Sequence, residues 1–282
     1  MERVKSLTVS ALQMDIAPDV SENIRTFRSM IEKMDRSTDI FLLPELWTGR
    51  TGCTGRTKTR VEGESAAALE SVREVCRDRG LHAVAGTMPW PSGDGFVNRA
   101  WIVDDAGTPF AFYDKAHLFS NGGEDKVFAA GDKPLMFNLA GIDCAVLIGY
   151  DMMFPEYARC AGLAGGQVIF IPARWEQGGQ NGQKLWKALL RSAAASCQVY
   201  VVACSAAGSG ELTLEASFEY FGNFGNFGKS AVVSPWGDVA GSLGEKAGIL
   251  TSRLDIAEIA KCRKDLPLDR DRRPELYGML LG

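Results

Sequence analysis

The chain has 282 residues, of which 46% are hydrophobic and 23% are charged, and its formal net charge at pH 7 is -4. This composition predicts a globular protein with a large core and argues against disordered, collagen-like and small disulfide-stapled classes. The net negative charge leaves no basic face for a phosphate backbone, so a small molecule is favoured over nucleic acid as the partner.

The counts of cysteine and histidine narrow the available chemistry. Seven cysteines form an odd set without a CxxC pair, which argues against a disulfide framework and a structural zinc site. Two histidines are too few for a multi-histidine metal site. The apolar stretch at the N-terminus is too short for a signal peptide and runs directly into an expected strand, and no run is long enough to span a membrane. We therefore expect a cytoplasmic protein with no membrane partner.

Strand and helix signals alternate along the whole chain, which predicts an α/β fold in a single domain over residues 1–282. Strands are expected where short runs of β-branched and apolar residues occur: Leu7–Met14, Ile40–Pro44, His82–Thr87, Asn98–Val103, Phe110–Lys115, Cys144–Ile148, Val168–Pro172, Val199–Cys204, Ser230–Ser234 and Gly248–Leu254. Helices are expected behind a possible N-cap at Ser21, around Leu69–Cys76, and at Glu156–Leu163 and Gly182–Ser196. The aromatic and glycine-rich segment at 218–229 lacks GxGxxG spacing and is interpreted as a structural loop.

Three polar sites each follow an apolar strand, where catalytic groups of α/β folds gather. They are Glu45 in FLLPELW, Lys115 in FYDKAHLF, and the turn of Gly149, Tyr150 and Asp151 after CAVLI. Each has a plain alternative when taken alone: Glu45 could cap a helix, Lys115 could be a solvated charge, and Gly149 could permit a tight turn.

Taken together, these sites resemble the nitrilase (carbon–nitrogen hydrolase) superfamily over nearly the whole chain. The likeness is carried, in order, by LQMDI, LLPELW, FVNRAWIVDDAG, YDKAHLF, GEDKVFAAGD, IGYDMMFPE, FIPARW, GKSAVVSPWGDV and DRRPELY. The resemblance implies a four-layer αββα sandwich that assembles as a homodimer or larger homo-oligomer across its helical layers. It also implies hydrolysis of a small linear carboxamide to a carboxylate and ammonia, without a metal or cofactor.

The resemblance also assigns roles to individual residues. Attack on an amide carbon needs a thiolate, and Glu45 matches the carboxylate that takes the thiol proton. Lys115 and the amide of Tyr150 match the donors that stabilise the oxyanion. Glu124 matches a second glutamate that orients substrate and charged groups. Arg174 and Trp175, in FIPARW, match a region that lines the substrate pocket; Arg174 is expected either to pair with a substrate carboxylate or to form a structural salt bridge.

Gly149 departs from this pattern, because the family has its nucleophilic cysteine in the corresponding C-Y-D context. Cys144 lies five residues upstream within the expected strand and is interpreted as a core residue. Gly149 is either a deliberate inactivating change or a natural divergence. Further departures at Ser196, Cys197 and Ser205, where relatives have other polar residues, favour natural divergence, since an inactivating design would leave them unchanged.

Three functional classes follow from these observations. The chain is an amidase whose cysteine has been removed, or a natural enzyme in which Glu45 activates a water in the space beside Gly149. The third class is a catalytically silent protein that binds a ligand or partner. In every class, the sequence predicts that Glu45, Lys115 and Glu124 converge on one pocket with the Gly149 turn at its base.

Overall fold

The computed structural model of the chain describes residues 6–49, 57–174, 179–208 and 228–281. Within these ranges the polypeptide forms two six-stranded mixed sheets. In chain order, the strands are β1 (Ser6–Gln13), β2 (Ile40–Leu42), β3 (His82–Ser92), β4 (Gly95–Val103), β5 (Pro109–Asp114), β6 (Met136–Leu139), β7 (Ile142–Val146), β8 (Val168–Ala173), β9 (Tyr200–Ser205), β10 (Ala231–Val233), β11 (Val239–Ser242) and β12 (Gly248–Asp255).

Six α-helices lie in the described ranges. They are α1 (Val20–Lys33), α2 (Lys58–Arg79), α3 (Pro155–Leu163), α4 (Gly179–Cys197), α5 (Ile256–Asp265) and the single turn α6 (Leu268–Asp271). The N-cap of helix α1 is Asp19 and not the expected Ser21, because the Asp19 carboxylate accepts a hydrogen bond from the Glu22 amide at 3.0 Å. No helix in the described ranges is long and apolar enough to cross a bilayer.

The first sheet has the strand order β12-β1-β2-β3-β4-β5, and the second has the order β11-β10-β9-β8-β7-β6. The centre of each sheet is parallel, through β1, β2 and β3 in the first and β7, β8 and β9 in the second. Antiparallel strands complete the edges. Parallel strands place their carboxyl ends at one edge of a sheet, so loops that follow different strands can share one site.

Three apolar cores separate the layers. Alternate residues of the two sheets face each other, and Ile40, Val146 and Phe170 are among the buried side chains between them. A second core lies between the first sheet and α1 and α2, around Phe27 and Trp47, while a third lies between the second sheet and α3 and α4. This layering confirms the four-layer αββα sandwich.

All ten expected strands are present, with shifted ends, but β6 and β11 were not predicted from the sequence. Both are four-residue strands, and they form the two opposite edges of the second sheet. Edge strands this short have too few residues to show a two-residue alternation. Helix α5 was also missed, while the 218–229 segment expected to be a loop lies outside the described residues, apart from its last two positions.

Candidate active site

Four chain segments meet at the ends of strands from both sheets. Glu45 lies in the turn that follows β2, and Lys115 directly follows β5. Glu124 begins a short 3-10 turn, and Gly149 begins another after β7. The amide of Glu45 donates to the carbonyl of Ala173 at 3.3 Å, which joins the first sheet to the end of β8 in the second.

The turn that carries Glu45 is fixed by a bulge in β3. Gly86 has a positive φ of 60°, and a Cβ atom there would lie 2.3 Å from the carbonyl oxygen of Pro44, so only glycine permits this close approach. The next residue, Thr87, accepts a hydrogen bond from the Leu46 amide at 2.8 Å through its hydroxyl. Leu46 itself adopts a positive φ of 49°. The backbone on both sides of Glu45 is therefore tightly constrained.

Lys115 connects two carboxylates inside the protein. Its Nζ lies 2.8 Å from Oε1 of Glu45 and 2.7 Å from Oε1 of Glu124. The side chains of Lys115 and Glu45 are 2% and 3% exposed, and that of Glu124 is 20% exposed. Glu124 also accepts a hydrogen bond from the Phe119 amide at 2.8 Å. The sequence-predicted trio thus lies together, with Glu124 nearest to solvent.

The charges and burial of this trio act on the pKa of Glu45 in opposite directions, with a net rise. Burial raises the pKa of the Glu45 carboxyl, and the nearby Glu124 charge raises it further, while Lys115 opposes both effects. Burial alone would lower the pKa of Lys115, but the carboxylates of Glu45 and Glu124 outweigh it and raise that pKa above its usual value. With all three groups ionised the cluster carries one net negative charge, so a proton on Glu45 makes it neutral.

Glu45 has two further hydrogen-bond donors. Nδ2 of the buried Asn98 donates to Oε1 at 2.8 Å, and the backbone amide of Arg174 donates to Oε2 at 3.0 Å. The two oxygens therefore differ, because Oε1 also receives the Lys115 ammonium. Such fixed donors hold a carboxylate in one orientation.

Gly149 faces the second oxygen of Glu45. Its φ is +40°, and a Cβ atom built on it would lie 2.4 Å from Oε2. Any side chain at this position would thus point at the carboxylate of Glu45, which at present lies against the glycine backbone. The sequence suggested free space beside Gly149 for a water, but the Cβ position is already in contact with Glu45 Oε2.

Asp151 fixes the turn that starts at Gly149, and it was not recognised as important from the sequence. Its Oδ2 accepts from the Ile148 amide at 2.8 Å and from the Tyr113 hydroxyl at 2.7 Å. Its Oδ1 accepts from the His117 amide at 2.9 Å and lies 2.8 Å from Nδ1 of the same residue. Asp151 thus fastens the segment around Lys115 to the Gly149 turn.

Aromatic rings border the same turn. The Tyr150 ring contacts Phe119 and Phe154 at centroid distances of 4.9 and 5.5 Å, and His117 stacks on Phe154 at 3.9 Å. Tyr150 is the second residue of the 3-10 turn, where backbone amides have no partner within the turn. An oxyanion donor at Tyr150 stays a prediction.

The other sequence-based expectations have mixed outcomes. Arg174 lies at the end of β8 with its amide on Glu45, whereas Trp175 lies outside the described residues. Cys144 is fully buried within β7, as expected for a core residue, and burial raises the pKa of its thiol. The six described cysteines are free thiols. No group of three His, Cys, Asp or Glu side chains within the described ranges could hold a metal ion.

Asn98 and Asp151 carried weak signals in the sequence. Both stand inside the quoted motifs FVNRAW and IGYDMMFPE, and both are polar residues among apolar neighbours in or beside a strand. A polar residue buried in this way needs a partner. The sequence could not show that the partner of Asn98 is 53 residues away, or that Asp151 binds a loop 34 residues away.

Comparison with known proteins gives a consistent picture. The family model described as carbon-nitrogen hydrolase matches residues 8–264. The chain is 33% identical to 2-oxoglutaramate amidase of Bacillus subtilis (strain 168) over 272 residues, which covers 96% of this chain and 99% of that protein. It is 27% identical to human omega-amidase NIT2 over 284 residues, covering 97% of this chain and 98% of that one.

Solved structures share the fold. Saccharomyces cerevisiae Nit3, a member of branch 10 of the nitrilase superfamily, matches with a TM-score of 0.80 at 25% identity, covering 95% of this chain and 97% of that chain. A carbon-nitrogen hydrolase from Helicobacter pylori G27 matches with a TM-score of 0.88 at 20% identity, covering 98% and 99%. At 20% identity, the likeness to the Helicobacter pylori protein concerns the fold alone.

Proposed function

The chain belongs to the carbon–nitrogen hydrolase family, as its motifs predicted, and we propose that its buried Glu45–Lys115–Glu124 cluster is an amidase-type site without its nucleophile. In this proposal the site binds a small linear carboxamide, and hydrolysis through an acyl-thioester requires a cysteine at position 149. One observation carries the proposal: a side chain at Gly149 would point directly at Oε2 of Glu45, at a Cβ distance of 2.4 Å.

The roles follow from this geometry. A thiol at position 149 would give its proton to Oε2 of Glu45, and the thiolate would attack the amide carbon. Lys115 and the amide of Tyr150 would stabilise the negative charge on the former carbonyl oxygen. The proton on Glu45 would pass to the leaving nitrogen, so ammonia departs and a thioester remains. Water, deprotonated by Glu45, would then release the carboxylate and the thiol.

The present sequence lacks the first step, because Gly149 has no thiol and none of the hydrogen bonds found for the described cysteines involves Glu45. Cys144 and Cys204 are fully buried within strands, and burial raises the pKa of both thiols. A thiol that stays protonated is a poor nucleophile. We therefore expect the chain as it stands to bind carboxamides without forming an acyl-enzyme.

The substrate class is drawn from the relatives. An amidase named for 2-oxoglutaramate is 33% identical over 96% of the chain, and human omega-amidase NIT2 is 27% identical over 97% of it. The amide of a short dicarboxylic acid is thus the preferred candidate. Such a ligand carries a carboxylate at the end opposite its amide, and Arg174, at the end of β8, is the proposed partner of that group. Assembly as a homo-oligomer and a cytoplasmic location remain part of the proposal.

The test compares the parent chain with its Gly149→Cys variant on a panel of small linear carboxamides that includes 2-oxoglutaramate. We expect no acyl adduct by intact-mass spectrometry and no ammonia release by the parent. The variant should gain ammonia release of roughly 10³-fold or more above the parent background, because nucleophile and base act as a unit. For the thiol to enter, Glu45 must withdraw by about 1 Å to reach van der Waals separation.

Gly80→Cys is the matched control for this experiment. Gly80 also has a positive φ, of 63°, and nothing lies within 4 Å of its Cβ position, so the control adds a thiol at a strained backbone position away from Glu45. It should release no ammonia. An acyl adduct on any cysteine of the parent would contradict the proposal. Adduct-free turnover by the parent would favour a water activated by Glu45, and binding without rescue would favour a silent binding protein.

A further inference from the structure

Asn98 is fully buried on β4 and contacts both members of the central ion pair. Its side-chain Nδ2 donates to Oε1 of Glu45 at 2.8 Å. Its backbone carbonyl accepts from the amide of Lys115 at 2.9 Å, across the β4–β5 pair. One residue therefore fixes the carboxylate of Glu45 through its side chain and the start of the Lys115 segment through its main chain.

The hydrogen bond from Asn98 makes the two oxygens of Glu45 unequal. Oε1 accepts from Asn98 and from the Lys115 ammonium, both at 2.8 Å. Oε2 accepts from the backbone amide of Arg174 at 3.0 Å and faces Gly149. A proton on Oε1 would break a bond to an ammonium and a bond to an amide, whereas a proton on Oε2 competes with one neutral donor. Proton uptake therefore falls to the oxygen that faces position 149.

The two polar groups of the Asn98 side chain differ in their contacts. Its Oδ1 makes no hydrogen bond to any described residue, although the residue is fully buried. A buried acceptor without a partner destabilises a fold, and an apolar residue of similar shape, such as leucine, would avoid that penalty. The side-chain hydrogen bond that the amide does make is the one from Nδ2 to Glu45.

We propose that Asn98 is the positioning residue of Glu45: it holds Oε1 and leaves Oε2 as the proton-accepting oxygen aimed at position 149. This inference rests on the proposed function for the base role of Glu45. The donated hydrogen bond also favours the charged carboxylate and so opposes the effect of burial. Leucine would remove the donor, and aspartate would place a second carboxylate against the first.

The first test measures the pKa of Glu45 in the parent chain and does not require catalytic turnover. The chain is labelled with ¹³C at the glutamate carboxyl carbon, and the Glu45 signal is assigned by its loss in Glu45→Gln. In Asn98→Leu the Glu45 pKa should rise by about one pH unit, since one hydrogen bond to the charged form is lost. In Asn98→Asp it should rise further, because two carboxylates then share one site.

Asn23→Leu provides the matched control. Asn23 is as deeply buried as Asn98. Its side-chain amide bonds to the backbone of Ala17, at 2.8 and 2.9 Å, and not to Glu45 or Lys115. This variant should lose stability and leave the Glu45 titration unchanged. If Asn98→Leu fails to fold, Asn98→Ala, which also removes the donor and adds no charge, supplies the same measurement. A Glu45 titration that matches the parent in a folded Asn98 variant would overturn the proposal.

A second test uses the Gly149→Cys background. Asn98→Leu should move the acid limb of the kcat/KM pH profile to higher pH and lower kcat more than it changes KM. Unchanged profiles would contradict the positioning role. The two proposals can fail separately: if Gly149→Cys never turns over, the proposed function fails while the titration still tests Asn98. If rescue succeeds but Glu45 titrates alike in all variants, only the Asn98 inference fails.

Discussion

Glu45 and Asp151 are both buried carboxylates in contact with the turn that begins at Gly149, but their surroundings differ. The oxygens of Asp151 accept four hydrogen bonds, two of them from backbone amides. Those of Glu45 accept from an ammonium, an amide side chain and one backbone amide. Asp151 therefore joins pieces of backbone, whereas Glu45 is coupled to charge and faces position 149. Two carboxylates at similar depth can thus serve structure and chemistry separately.

The largest expected effect is on the rate of ammonia release and concerns Glu45. In the Gly149→Cys background, adding Glu45→Gln should reduce ammonia release by roughly 10²- to 10⁴-fold, the range of a general base. A thiol with an ordinary pKa of about 8.5 stays mostly protonated at neutral pH without its base. Steady-state ammonia release measures this. Activity that survives Glu45→Gln would show that another group takes the thiol proton.

Replacement of Asp151 should lower the stability of the fold. Asp151→Ala leaves backbone and side-chain donors of Ile148, His117 and Tyr113 without their acceptor, so the free energy of unfolding should fall by about 3–5 kcal/mol. Urea denaturation followed by circular dichroism checks this. The control is Asp143→Asn, because Asp143 is exposed on β7 and its loss should change stability by about 0.5 kcal/mol or less. Equal losses in both variants would remove the contrast with Glu45.

Gly149→Ala measures how closely Glu45 presses on the turn. Alanine at φ +40° adds backbone strain, and its Cβ would lie 2.4 Å from Oε2 of Glu45. We expect a loss of about 2–4 kcal/mol from both effects. Gly80→Ala carries the strain alone, since its Cβ position is open, and should lose about 1–2 kcal/mol. Thermal unfolding of both variants gives the comparison, and equal losses would mean that Glu45 withdraws freely.

The smallest expected effect is on the pH dependence of stability. Because burial raises the pKa of Glu45 above its ordinary 4.5, the folded chain holds this proton to higher pH than the unfolded chain does. The stability that Glu45 contributes is thus present below pH 4.5 and is lost as the pH rises through the raised pKa. Relative to Glu45→Gln, the parent should lose stability over that window in urea titrations.

The stability contributed by Asp19 should depend on pH in the opposite direction to that of Glu45. Hydrogen bonds from Ser21 and Glu22 lower the pKa of the exposed Asp19 carboxylate from 3.8, so its contribution is present above that value and is lost as the pH falls. Relative to Asp19→Asn, the parent should lose stability on acidification. If Glu45→Gln showed the same slope as Asp19→Asn, the raised pKa of Glu45 would be wrong.

The sequence by itself determined the α/β class, ten of the twelve strands in the described residues and the candidate trio of Glu45, Lys115 and Glu124. These follow from local patterns and from residue order, which a linear chain displays directly. Residue order also identified Gly149 as the position where the sequence departs from the family pattern. The two short edge strands β6 and β11, which are defined by their pairing partners, were not predicted, and neither was helix α5.

The tertiary structure alone decided how these residues face one another. It directs the Gly149 Cβ position at one oxygen of Glu45, places the Asn98 amide on the other, and gathers four donors around Asp151. Asn98 and Glu45, 53 residues apart, meet because β2 and β4 lie in the same sheet with β3 between them. His117 and Asp151, 34 residues apart, follow strands of different sheets and meet because the two sheets pack face to face. Hydrogen bonds act over about 3 Å in fixed directions, so they depend on that packing and leave little trace in residue spacing.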